Sequence, residues 1–138
     1  MRSGVLLAGI FVLAVITVVA YIPVYRADFI WDDDTYVMSI EPVRTLDGLR
    51  RIWFDPHTFP QYYPLYYTTF WIEYQLWGLN PAGYHVVNVL LHTGNAILFW
   101  FVLRRLGDRG AWVAAAVFAL HPVHVESVAW VTERRNVL

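Results

Sequence analysis

Two clusters of ionisable side chains are spaced to do chemistry. Asp32-Asp33-Asp34 sets three carboxylates in a row, between Trp31 and Tyr36. A carboxylate between aromatic walls can act as a general base on a hydroxyl. Adjacent carboxylates can divide the work, one accepting a proton while another orients an arginine, and they can also hold a divalent cation. The plainer alternative is a solvated acidic turn. The second cluster is His121-Pro122-Val123-His124-Val125-Glu126. It lacks the His-Glu-x-x-His order of helical zinc sites, and Pro122 disfavours helix at His121. His121 and His124 suit a phosphate-like or diphosphate-like group, or a hydrogen bond to the acidic cluster. Glu126 needs a cationic partner if it leaves water, with Arg134 and Arg135 the nearest candidates. An arginine there can also grip a phosphate through two parallel hydrogen bonds.

A third set is a stripe. His85, Asn88, His92 and Asn95 follow one another at spacings of 3, 4 and 3. On a helix they fall within about 80° of each other. In a membrane such a stripe must face protein or water, either as polar glue between helices or, at His85 and Asn88, as the lining of a substrate cavity.

The elements that carry these residues follow from composition. The 138 residues are 58% hydrophobic and 15% charged, with a formal charge of −1. Soluble domains carry roughly a quarter charged residues, and so small a domain cannot bury this much apolar surface. A disordered chain and a nucleic-acid binder are excluded by the same figures. All ten cations are arginine and there is no cysteine. Disulfides, thiolate metal sites, cysteine nucleophiles and lysine Schiff bases are therefore excluded.

The pattern predicts an all-α polytopic membrane protein. Residues 5–22 form an apolar run long enough to cross a bilayer; a secretory signal peptide is the alternative reading. Asn80-Pro81 opens a second span over 81–105, which closes on Arg104, Arg105 and Gly107. A third span starts at about 111 and meets His121-Pro122. It either continues through 121–131 or ends part-way across. Arg2 and the cluster Arg104, Arg105 and Arg109 place the N-terminus in the cytoplasm. The loop 23–83 is then outside or luminal, in a multi-pass cell (inner) membrane or endoplasmic reticulum membrane. Helices lying in the interface are expected at about 45–54 and 65–77.

Taken in order, Phe29-Ile30-Trp31-Asp32-Asp33-Asp34, Tyr62-Tyr63-Pro64-Leu65, Tyr84-His85-Val86-Val87-Asn88-Val89-Leu90-Leu91-His92 and His121-Pro122-Val123-His124-Val125-Glu126-Ser127-Val128 resemble a known family. It is the membrane half of the transmembrane and tetratricopeptide-repeat O-mannosyltransferases and their bacterial relatives. More distantly, the acidic motif is similar to that of protein O-mannosyltransferases in the C-type glycosyltransferase superfamily. The resemblance implies the N-terminal part of a larger helix bundle with a helical outer loop, followed by further spans and tetratricopeptide repeats. It implies transfer of a mannose-like sugar from a polyprenyl- or dolichyl-phosphate donor to a protein or glycan hydroxyl. Asp32 and Asp33 map to the acidic pair that activates the acceptor. Arg134 matches the arginine of a Gly-Arg-Ala-Glu-like segment, and joins His121, His124 and Glu126 as the expected donor-phosphate or substrate-binding set. No cofactor is required and no protein metal site is expected, although a divalent cation is compatible with the carboxylates. A non-catalytic membrane scaffold, with the loop as a partner-binding platform, is the reading from another class.

Overall fold

A computed structural model describes residues 3–59 and 61–138. Arg2 and Pro60 lie outside the described residues, as do the side chains of Asp34 and Met38. The α-helices are α1 (Ser3–Ala20), α2 (Leu46–Phe54), α3 (Pro64–Trp77), α4 (Pro81–Arg105), α5 (Ala111–Leu120) and α6 (Val125–Ala129), joined by short 3-10 turns and one π-helical turn at Asp34–Met38. Among the described residues there is no strand. Helices α1 and α4 are each long and apolar enough to cross a membrane.

The membrane part is a three-helix packing of α1, α4 and α5. Of α1 only Leu13 and Thr17 are buried, while Leu7, Phe11 and Val19 are more than half exposed. An apolar helix so bare is solvated by lipid. Ala111, Ala115 and Ala119 line one face of α5 and pack with Leu13, Ala96 and Trp100. Small side chains at that spacing let the helix backbones approach closely, which is how apolar helices gain contact where no hydrophobic effect separates them from lipid. Asn80 caps α4 as its sequence requires, its Oδ1 accepting from Ala82 N at 3.2 Å.

The third apolar run does not continue as one helix. Helix α5 stops at Leu120, and the segment Pro122–Ala129 leaves at 48° to it. Pro122 lacks an amide hydrogen and forces His121 into extended backbone, φ −67° and ψ 129°. The break frees the carbonyl of Ala119, and His92 Nε2 donates to it at 3.0 Å.

The loop carries helices at Leu46–Phe54 and Pro64–Trp77, beside the expected 45–54 and 65–77, and they pack into a small folded unit. Val37, Val43, Ile52, Phe59, Tyr66, Tyr67, Phe70, Tyr84 and Val131 form one buried cluster, with Phe59 stacked on Tyr67 at 3.9 Å between centroids. Helix α2 contributes only part of its apolar face. Ile52 is buried, whereas Leu46 and Phe54 remain about four-fifths exposed. Its N-terminus is capped by Thr45, whose Oγ1 accepts from Gly48 N at 3.0 Å. Gly48 presses directly on the turn Glu41–Arg44: a Cβ there would sit 1.7 Å from the Pro42 carbonyl oxygen. Gly48→Ala therefore requires the backbone to move, and is expected to destabilise the protein by about 1–3 kcal/mol. The measurement is a lowered melting temperature in detergent.

Candidate active site

The corner at Trp31-Asp32-Asp33 is set by backbone conformation. Trp31 has φ +47°, the left-handed region that bulky residues avoid at a cost of about 1–3 kcal/mol. Three contacts hold it there. Its ring meets Trp130 edge-on at 4.7 Å. Asp33 N donates to Ile30 O at 3.0 Å, and Asp33 Oδ2 accepts from Ile30 N at 3.0 Å. Asp33 Oδ1 then accepts from Thr132 N at 2.9 Å. Asp33 is fully buried, and both carboxylate oxygens are committed to backbone amides. It pins the acidic loop to a segment 99 residues away.

Asp32 is different. It is exposed, and it lines a very small polar cleft with Tyr36, Tyr63, Tyr66, Tyr67, Glu133 and Arg135. Burial raises the Tyr66 hydroxyl far above its ordinary range and pushes Tyr67 up to about 12. Both stay protonated near neutral pH, and Tyr66 Oη donates to Thr132 O at 3.0 Å. Glu133 is held by Arg135 and by Asn136. Among the described residues, Asp32 is the carboxylate in this cleft that no cation or amide engages.

Beneath the cleft lies a buried ion pair. Arg134 is fully buried, with Phe70 under its guanidinium at 4.5 Å. Nε donates to Asn88 Oδ1 at 2.7 Å, and Nη1 to Thr69 Oγ1 at 3.0 Å and to Glu73 Oε2. Nη2 donates to Glu73 Oε1 at 2.9 Å and to Tyr84 O at 3.1 Å. All five N–H groups are used. Burial raises the Glu73 carboxyl above its ordinary value, and the Arg134 guanidinium opposes that shift.

Sequence comparison gives this geometry a context. No family model matches the chain, and no solved structure is similar to it. Protein O-mannosyl-transferase F38B6.6 of Caenorhabditis elegans is 28% identical over 94% of the chain, and protein O-mannosyl-transferase TMTC4 of Homo sapiens is 33% identical over 89%. Protein O-mannosyl-transferase Tmtc1 of Drosophila melanogaster is 32% identical over 94%. The chain's relatives are protein O-mannosyl-transferases. It spans 21%, 20% and 16% of the length of these three, about a fifth of the first two.

The residues that carry the family resemblance do not all meet at the cleft. Arg134 is not presented to a phosphate, because Glu73 and its other acceptors occupy every donor. Glu126 does not pair with it; Glu126 is exposed on the first turn of α6. Neither His121 nor His124 reaches the acidic pair. His121 Nδ1 accepts from Val123 N at 3.2 Å and so caps the turn after the break. His124 packs on Phe118 at 4.5 Å and on His92 at 5.3 Å. Among the described residues no three His, Asp or Glu side chains gather into a metal-binding group.

The polar stripe divides in two. Asn88, expected to line a cavity, is buried glue instead: its Nδ2 donates to Val128 O at 3.2 Å and Trp130 O at 3.1 Å. Asn95 Nδ2 donates to Val137 O at 2.7 Å. His85 does line a cavity, one of about 370 Å³ between the end of α1 and the start of α4. Its other walls include Val18, Tyr21, Tyr25, Val89 and Arg26. The backbone of Ala27, Asp28 and Ala129 lies beside the His85 ring, but among the described residues neither ring nitrogen closes a hydrogen bond. The buried Tyr21 hydroxyl is likewise without a partner.

Glu73, Tyr66, Tyr21 and Arg135 are the members of these arrangements that the motifs do not mark. Glu73 carried a readable signal. A lone acid in an apolar, aromatic helix demands a cationic partner, but nothing in the polar run Val131–Asn136 marks Arg134 as that partner.

Proposed function

We propose that this chain carries the acceptor-activating corner of a membrane glycosyltransferase. It moves a mannose-like sugar from a polyprenyl- or dolichyl-phosphate to a hydroxyl on a protein or glycan. The observation that carries the reading is the contrast between neighbours: Asp33 is buried and fully bonded, and Asp32 stands exposed in a tyrosine-lined cleft, its carboxylate with no partner among the described residues. The names of the relatives support the sugar and the transfer.

In this reading the Asp32 carboxylate takes the proton of the acceptor hydroxyl. The acceptor oxygen attacks the anomeric carbon, the bond from that carbon to the donor phosphate oxygen breaks, and the lipid phosphate leaves with the electron pair. Developing charge on the leaving phosphate needs donors. Arg134 is committed elsewhere, so the role falls to Arg26, with Tyr21 Oη and the His85 ring beside it. The cavity supports a lipid-linked donor, since its walls are apolar and its two unpartnered polar groups are buried. The test is donor choice. The intact protein in proteoliposomes should transfer mannose from polyprenyl-phosphate mannose to a Ser/Thr peptide and not from a nucleotide-activated mannose. Transfer from the nucleotide sugar alone would overturn the reading.

The reading includes an orientation: the cluster of Arg104, Arg105 and Arg109 at one end of the bundle supports a cytoplasmic side there, with the acidic corner outside or in the lumen. The chain has no cysteine, so His57→Cys supplies a single label site on the exposed loop. A membrane-impermeant maleimide should label it from the outer or luminal side. Labelling from the cytoplasmic side alone would reverse the topology.

A further inference from the structure

The opposite end of the bundle holds a second cavity, of about 480 Å³, bounded by α1, α4 and α5. Ala8, Gly9 and Val12 form its α1 wall, and small size at the first two keeps it hollow. Gly9 is required there, because a Cβ would stand 2.5 Å from the Trp100 ring. Trp112 fixes the third wall, its Nε1 donating to Gly9 O at 3.1 Å. The lining is apolar until its mouth, where Arg104 and Arg109 stand. No carboxylate pairs with either among the described residues. Asp108 also reaches the rim, exposed, with its Oδ1 accepting from Gly110 N at 2.6 Å.

An apolar groove along two candidate spans, with two guanidinium groups at its mouth that no carboxylate pairs among the described residues, suits a lipid with a negative head. Each arginine can take a phosphate through parallel hydrogen bonds, and anionic membrane surfaces concentrate such lipids at basic clusters. We propose that this groove binds one anionic phospholipid, its acyl chain lying between α1 and α4 and its phosphate on Arg104 and Arg109. The inference is independent of the acidic corner, which lies at the other end of α4.

The protein, extracted in detergent and exposed to equal amounts of phosphatidylglycerol and phosphatidylcholine, is weighed by native mass spectrometry. One phosphatidylglycerol should be retained in preference. Arg104→Gln with Arg109→Gln should weaken that retention about 30-fold and leave phosphatidylcholine unchanged. Ala8→Leu keeps both arginines and fills the slot, so it should also lose the lipid, with helix content by circular dichroism unaltered. Equal retention of the two lipids would overturn the proposal. So would no retention of either, which would mean that protein covers the groove, or retention that survives both the charge and the filling variants.

Discussion

Asp32→Asn is expected to lower the transfer rate about 10²–10⁴-fold while leaving the fold intact. General-base catalysis contributes on that scale, and asparagine keeps the shape of aspartate while removing its ability to accept a proton. The structural cost should be small, within about 0.5 kcal/mol, because the Asp32 side chain is exposed and bonded to nothing among the described residues. The corner survives without that carboxylate, since Asp32 supports the next turn through its backbone, its carbonyl accepting from Tyr36 N at 2.9 Å. Initial rates with saturating donor, beside a melting curve of the same preparation, measure both quantities. A variant that keeps its rate removes Asp32 from the chemistry.

Arg134→Ala has the opposite signature. Removing the guanidinium leaves Glu73 buried without a cation, and strips Asn88, Thr69 and the Tyr84 carbonyl of their donor. Breaking a buried pair from one side costs about 3–5 kcal/mol. The loss falls where α3, α4 and the segment Val131–Asn136 meet, so the outer core as a whole should loosen. Glu73→Ala should be similarly damaging. A double change to Met at both positions should recover much of the loss, because apolar residues of matching volume can replace such a pair. Melting temperatures of the three variants decide the point: equal damage in single and double variants would mean that hydrogen bonds to Asn88 and Tyr84 matter more than the charge pairing.

Local signals in the chain are strong where a cap or a breaker is present. Asn80-Pro81 opens α4 and Thr45 opens α2, because each supplies a side-chain acceptor for an amide that the helix leaves unpaired. The break at His121-Pro122 is legible for the converse reason. Less legible is anything that rests on contacts across long sequence separations. The stripe His85, Asn88, His92 and Asn95 reads correctly as a protein-facing surface, but its period cannot say what it faces. Three of the four turn out to bind backbone carbonyls released by the C-terminal turns and the α5 break. The aspartates illustrate the same limit. Adjacent residues in one acidic run have opposite fates because Trp31 adopts a left-handed conformation, and nothing in Trp-Asp-Asp announces that. The histidines looked like ligands for the acidic loop; one is a turn cap and the other packs on a phenylalanine. Arg134 was visible as a functional arginine, yet its function in this structure is to neutralise Glu73.

The proposed division of the acidic pair into a general base at Asp32 and a clamp at Asp33 is tested by one paired measurement. Transfer rate and melting temperature are determined together for Asp32→Asn and Asp33→Asn in the intact protein. In Asp33→Asn an amide group replaces one acceptor of a backbone N–H, from Ile30 or Thr132, and leaves it unsatisfied at a cost of about 1–3 kcal/mol. The predicted result is a split: Asp32→Asn loses transfer at unchanged melting temperature, and Asp33→Asn melts lower, with activity falling only as far as the corner is disturbed. Loss of transfer in Asp33→Asn at wild-type stability, with Asp32→Asn still active, would contradict it.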